Sequence, residues 1–295
     1  TSLFGGSLDL REGEILFSYE SLGDSPLKTE IRSFNFELST VTDRKSFPFR
    51  INGRMVHSNK EGPFSIEGTI QNIPEDLDFS KGRVEAGVKI KGFDTSHFWP
   101  YLKTLLPMET ISGGLDLNAH YQGDFQGFFK TSIKIKFKDL LFNYPQVFSS
   151  VLKPKWANID VEAQYDSKEI KIPRFSIELP ELWVKARGRI YGIGSKEMGM
   201  EAEAHSSPFD IAEGKKFIPF RIITPDVSES LFRSEGKGSF QIVSVRLAGK
   251  MPEIDHCDQL SNAHVLSIET KLHGAQLKLP WNLPPFEDLT GSFSF

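Results

Sequence analysis

The sequence predicts an all-β fold with a few short helices, arranged as a long, curved, mainly antiparallel sheet that forms an open, taco-like groove. Three observations carry this. Apolar residues recur at every second position over most of the chain, which gives each strand one apolar and one polar face. Roughly fourteen such runs follow one another, separated by Gly, Asn, Asp, Ser or Pro turns, as in a meandering β chain. The third is composition: there are 25 Phe, one more than the 24 Gly, against 5 Met and 6 Tyr. Phe is not normally among the commonest residues, so the fold requires an unusual amount of bulky apolar surface.

The elements follow in chain order. Gly6-Ser-Leu8-Asp-Leu10 opens the first run. Phe47, Phe49 and Ile51 alternate with Pro48, Arg50 and Asn52, and Val84, Ala86, Val88 and Ile90 form another strand. Leu115, Leu117, Ala119 and Tyr121 follow Gly113-Gly114. Ile133, Ile135 and Phe137 alternate with Lys134, Lys136 and Lys138; Ile159, Val161, Ala163 and Tyr165 alternate with Asp160, Glu162 and Gln164. Gly188-Arg-Ile190, the Met198–Ala204 run, Gly238-Ser-Phe240-Gln-Ile242 and Gly291-Ser-Phe293-Ser-Phe295 complete the pattern. Strands wetted on one side read this way, whereas buried parallel strands do not. A glycine entering a strand permits a bulge or bend there. The irregular spacing of these glycine phrases argues against a strict solenoid repeat. Explicit turns are expected at Leu22–Pro26, Asn59–Pro63 and Gly192–Ser195.

Three helical interruptions are expected, near 96–106, 208–214 and 225–233. In the first, Phe98, Leu102, Leu105 and Leu106 fall at helical spacing, Ser96 is placed to cap the start, and Pro107 ends it. Pro100 fits only in the first turn. The other two place Pro208 and Pro225 at the first helical position behind Ser207 and Thr224. All three are too short to be stable alone and must pack on the sheet.

Charge and cysteine content narrow the function classes. Lys and Arg number 35 and Asp and Glu 39, for a net charge of −4. A nucleic-acid binder driven by bulk charge is excluded, because its footprint is basic. With 39% apolar residues the chain is not intrinsically disordered. The single Cys257 makes neither an internal disulfide nor a Cys-rich zinc site. No stretch approaches the roughly 18 apolar residues of a membrane helix, and no signal peptide opens the chain. Both ends fall within the repeating pattern, so residues 1–295 read as one elongated fragment of a longer protein, expected to be monomeric.

Motifs of catalysis are sparse. The seven histidines form no metal set. Asp255-His256-Cys257-Asp258, with His264 nearby, is the densest group of potential ligands. It reads as a polar loop, because a metal site needs three or four converging ligands. There is no nucleophile elbow, phosphate-binding loop or dinucleotide fingerprint. No cofactor, metal or catalytic residue is assigned. A carbohydrate-active enzyme rests only on abundant carboxylates and aromatics. The stripe Lys130, Lys134, Lys136, Lys138 would suit phosphates or an anionic membrane; its plain reading is the solvated face of a strand that discourages edge aggregation. The Phe-rich face remains. It closes on itself in a β-sandwich or barrel, or lines an open curved sheet that holds something apolar. The number of strands and the shortness of the helices favour the open sheet.

The cadence of Gly6–Phe17, Pro26–Leu38, Phe93–Leu102 leading into Ile111–Leu117, Phe217–Gly238 and Pro284–Phe295 resembles the AsmA-like family of bacterial envelope proteins, bridge-like lipid-transfer proteins of the TamB/YhdP type. The resemblance covers most of the chain. It implies a periplasmic protein, anchored in the inner membrane by a segment absent here. Its apolar groove would conduct phospholipid between the inner and outer membranes, without catalysis, in support of outer-membrane integrity. The implied partners are phospholipid and the two membranes or their proteins, and not nucleic acid. Phe34, Phe36, Phe47, Phe49, Phe64, Ile133, Ile135, Phe137, Phe240, Ile242 and Phe293 are the expected lining, some of them as core beneath the helices. The competing expectation is a non-catalytic β-sandwich module that binds a protein partner.

Overall fold

The computed structural model describes residues 6–19, 27–39, 46–57, 60–73, 81–103, 106–124, 127–218, 235–257, 259–278, 284 and 286–294. The strands are β1 (Ser7–Tyr19), β2 (Leu27–Ser39), β3 (Ser46–His57), β4 (Lys60–Gln71), β5 (Arg83–Asp94), β6 (Thr110–Asp124), β7 (Phe129–Asn143) and β8 (Trp156–Asp166). They continue with β9 (Glu169–Glu178), β10 (Trp183–Tyr191), β11 (Gly199–Ser206), β12 (Phe209–Asp210), β13 (Glu235–Lys250), β14 (Leu266–Lys278) and β15 (Phe286–Ser294). All fifteen belong to one sheet whose order follows the chain, with only β12 off the path, paired to β13. Every pairing is antiparallel. β1 and β15 do not pair with each other, so the sheet is open. The expected open curved sheet is what forms; the closed β-sandwich is not, since among the described residues no second sheet packs on the first.

Alternation alone does not keep the apolar residues on one face, because several strands carry a bulge that resets the parity. In β1 the apolar positions run Leu8, Leu10 and then Ile15, Phe17, with Glu12 at φ 52° between them. In β2, Thr29 and Ile31 give way to Phe34, Phe36 and Leu38 across Ser33 (φ 47°). Gly92 in β5, Asp139 in β7 and Gly274 in β14 do the same, each at positive φ. A bulge inserts one residue opposite its partner strand, so the next side chain returns to its former face. Three of these exposed bulge amides are held by a side chain on the neighbouring strand. Asn35 Oδ1 accepts from Glu12 N–H (3.0 Å), Asp116 Oδ1 from Gly92 N–H (2.8 Å) and Thr290 Oγ1 from Gly274 N–H (3.1 Å).

The helical elements are α1 (Thr95–Leu102), α2 (Ile211–Gly214) and α3 (Met251–Ile254). α1 differs from expectation at both ends of its first turn. Asp94, not Ser96, is the N-cap, accepting from Ser96 N–H. Pro100 lies in the second turn. The missing N–H there is offset by tertiary contacts: Phe98 stacks on Phe93 (centroids 3.8 Å apart) and Thr95 Oγ1 donates to the Gly113 carbonyl (3.0 Å). Tyr101 Oη meets Thr29 Oγ1 at 2.9 Å, and its ring lies 5.8 Å from Phe17. α1 therefore runs from the β5–β6 connection back across the apolar face to β2 and β1. α2 starts later than expected, because Ser207-Pro208 leads into β12 and Asp210 caps the helix through Ala212 and Glu213 N–H. The helix expected at 225–233, and the turn at Leu22–Pro26, lie outside the described residues. α3 and the 3₁₀ turn Leu260–Val265 flank the stretch read as a polar loop, in which 255–257 form a turn.

A closed core exists only locally. Phe137, Leu140 and Ala157 form a buried cluster flanked by Ile111, Leu115, Phe142 and Leu179. Over it folds the segment after β7, bridged from Phe142 to Leu152. The solvent-accessible surface is 18714 Å². A compact monomer of 33.3 kDa would expose about 12,600 Å². A single-layer sheet accounts for the excess.

Candidate functional site

Strand register assembles the apolar face into continuous lines that cross the sheet. Directly opposed residues of an antiparallel pair share a face. Starting at Leu10, the partners run Phe36, Ile51, Ile66, Val88, Ala119 and Ile133. They continue through Val161, Phe175, Ala186, Ala204 and Val245 to Ile268. This line crosses every strand from β1 to β14 except the short β12, without one polar residue. At about 4.8 Å per strand it is roughly 58 Å long. A second line on the same face runs Phe64, Ile90, Leu117, Ile135, Ile159, Ile177, Val184. On the other side of the first, Phe47, Ile70 and Val84 lead through Gly123 to Phe129, Tyr165, Ile170, Ile190 and Met200.

All eleven expected lining residues lie on this face. Phe34, Phe36, Phe49, Phe64, Ile133, Ile135, Phe240 and Ile242 are half-buried there. Phe293, on β15 opposite Thr270, is exposed. Phe137 and Phe47 are each only 5% exposed. Phe137 belongs to the closed cluster, so it is core and not open lining. Of the residues on the long line the expected set held only Phe36 and Ile133; Phe175, Ala186, Val245 and Ile268 are among those it lacked. Pro173 and the bulge between Glu162 and Gln164 obscure the alternation before Phe175. Ala186 sits in a run too small-sided to stand out by bulk.

The opposite face is a lattice of ion pairs. Arg50 meets Glu67 (3.3 Å), Arg54 meets Glu61 (3.1 Å) and Arg174 meets both Asp160 (3.3 Å) and Glu162. Arg187 pairs with Glu203 and Arg189 with Glu201, each at 2.6 Å. Hydrogen bonds from Arg189 and Arg187 hold the Glu201 and Glu203 carboxyls below their ordinary range. Exposed pairs of this kind add little stability; they keep this face in water and set its polarity against the other. A depression of about 640 Å³ near β10, β11 and β13 is bounded by these same paired side chains, among them Arg187, Glu203 and Arg246. Ile172, Ala202, Leu247 and Val265 line it as well.

Among the described residues no group of three or more His, Cys, Asp and Glu converges on a metal position. Asp255, His256 and His264 are exposed and Cys257 is half-buried. No helix among the described residues is long and apolar enough to cross a membrane. The molecule thus presents one apolar face, crossed by the three register lines, and one charged face. The chain matches no protein-family model, no curated protein and no solved structure.

Proposed function

We propose that the apolar face is a non-enzymatic conduit for phospholipid, with acyl chains lying along the strand-crossing lines and head groups left in water. The observation that carries this reading is the unbroken apolar line from Leu10 to Ile268. Exposing acyl chains to water costs about 0.8 kcal/mol per CH₂. A ligand that slides along a line with no polar step meets no large barrier at any strand. A closed core needs no such continuity. The resemblance to AsmA-like proteins supports the same reading and adds its setting: the periplasm, an inner-membrane anchor, and transfer between inner and outer membranes that sustains the outer membrane. A section about 58 Å long is longer than one lipid, so several such lengths in series would bridge wider gaps.

The test is site-specific photocrosslinking. A photoreactive side chain at Phe36, Ile133 or Ala204 is expected to capture phospholipid, detected by mass spectrometry of the adduct. The same probe at Arg50 or Glu203, on the charged face, is expected to capture none. Equal capture on both faces, or crosslinks to protein only, would defeat the proposal and favour a protein-binding module.

A further inference from the structure

On the charged face most arginines are paired, and so is Lys171, with Glu169 at 2.9 Å. Arg32, Arg50, Arg54, Arg174, Arg187, Arg189 and Arg246 all face a carboxylate within 4.0 Å. In the middle of the sheet lies a different patch. Register places Lys89 opposite Asn118, which lies opposite Lys134; Asp116 lies opposite Lys136, and Lys138 opposite Trp156. Lys91 follows on β5, and Lys153 and Lys155 lie exposed just before β8. Of these lysines only Lys134 has an ion pair among the described residues, a loose one to Asp160 at 3.8 Å. Two of the carboxylates nearby are engaged, Asp116 by the Gly92 bulge amide and Asp160 by Arg174, and a third, Asp139, stands beside Lys138; the lysines outnumber them. The patch thus carries a surplus of unpaired cations. Beside it stand two exposed apolar side chains, Trp156 (38%) and Val151 (41%).

We infer that this patch docks the outer face of the sheet onto an anionic phospholipid bilayer. The lysines of β7 stand about 7 Å apart, and those of β5 and β7 about 10 Å apart. That array is several charges wide, so it suits an extended charged surface better than one phosphate. Lysine is a mobile point charge that serves a fluid surface, where arginine would favour fixed bidentate partners. Trp beside Lys is the side-chain pair that settles at a membrane–water interface. This inference stands independently of the cargo proposal, since the patch lies on the face opposite the apolar lines.

Flotation of the whole chain with vesicles tests it. The protein is expected to rise with mixed phosphatidylcholine–phosphatidylglycerol vesicles at low salt and to stay behind with pure phosphatidylcholine or in high salt. Each lysine near an anionic surface contributes roughly fivefold in partitioning. Lys134→Ala, Lys136→Ala and Lys138→Ala together should therefore lower it by about a hundredfold. Lys196→Ala, Lys237→Ala and Lys271→Ala together change net charge equally and should lower it far less. Both triple variants are checked for an unchanged β circular dichroism spectrum. Failure to float with anionic vesicles, equal flotation with neutral ones, or an equal loss in the control variant overturns the inference. So does salt-sensitive binding to single-stranded DNA in the absence of vesicle binding. Because flotation reads surface attachment and crosslinking reads cargo, failure of one leaves the other intact.

Discussion

At the residue scale, the surplus of phenylalanine is bound up with glycine. Phe rings lie across from glycines on neighbouring strands, as Phe34 opposite Gly13, Phe49 opposite Gly68, Phe64 opposite Gly53 and Phe129 opposite Gly123. The ring covers the bare backbone where a side chain is missing, the arrangement known to rescue glycine in sheets. At Gly68 a Cβ would stand 2.8 Å from the Phe49 ring and closer still to the Glu85 carbonyl. Gly68→Ala is expected to destabilise the protein by about 1–3 kcal/mol, measured by chemical denaturation. A neutral result would mean that the ring does not seat on the glycine. Asp94 provides a second residue-scale prediction. Desolvation pushes its carboxyl up, but hydrogen bonds from Lys60 and Ser96, with His97 close by, outweigh that and hold it at about 2. A carboxyl depressed in the fold stabilises it above the ordinary value of 3.8, and that contribution fades as pH falls toward 2. Trp99 fluorescence in α1 should therefore report loosening of the helix over that acid range. Asp94→Asn should flatten the response, and an unchanged acid transition would refute the link.

At the element scale, the strands were legible and their bulges were not. Period-two alternation located most of the runs, because one wet and one apolar face leave a direct mark on sequence. The parity resets were hidden, since Glu12, Ser33 and Asp139 adopt positive φ without being glycine. Glu12 N–H is held by Asn35 of the neighbouring strand and Asp139 N–H by the Lys155 carbonyl, and one sequence does not reveal which residues meet across a sheet. The helix starts failed for a related reason. Ser96 and Ser207 are good caps by type, yet Asp94 and Asp210, each two or three residues from the first free amides, hold those positions. Of the lining set, bulk identified the phenylalanines, while Ala186 and Val245 emerged only once register joined their neighbours. Asn35 shows what a bulge partner contributes. It accepts from Glu12 N–H, and its amide donates to the Ser33 carbonyl and to Asn52 Oδ1. Asn35→Leu leaves two bulges without their partner and should cost about 1–3 kcal/mol. Hydrogen exchange should show β1 and β2 amides opening faster while β7 and β8 stay protected. Unchanged exchange in β1 would show that the bulge holds without its cap.

At the scale of the whole molecule, chain order and spatial order coincide from β1 to β15, so each strand rests mainly on its two neighbours. Stability in such an array is close to a sum of strand terms and nearest-neighbour interfaces, as in repeat proteins. The terms are unequal along the sheet. The central strands β6, β7 and β8 share the one closed cluster. The end strands carry the most exposed large apolar side chains: Leu8, Leu10, Ile15, Leu16 and Phe17 on β1, Phe286 and Phe293 on β15. Unfolding should therefore be graded, with protection highest around Phe137 and Ala157 and falling toward both ends. Native-state hydrogen exchange at rising denaturant is the measurement, and opening free energies should form a peak over β6–β8. The same gradient bears on function. Along the proposed conduit the strands at β1 and β15 would then open at lower cost than the centre, which keeps its shape. If all strands exchanged through one common opening event, the sheet would be a single cooperative unit. Opening any one strand would then require the whole sheet to unfold, and graded protection would be excluded.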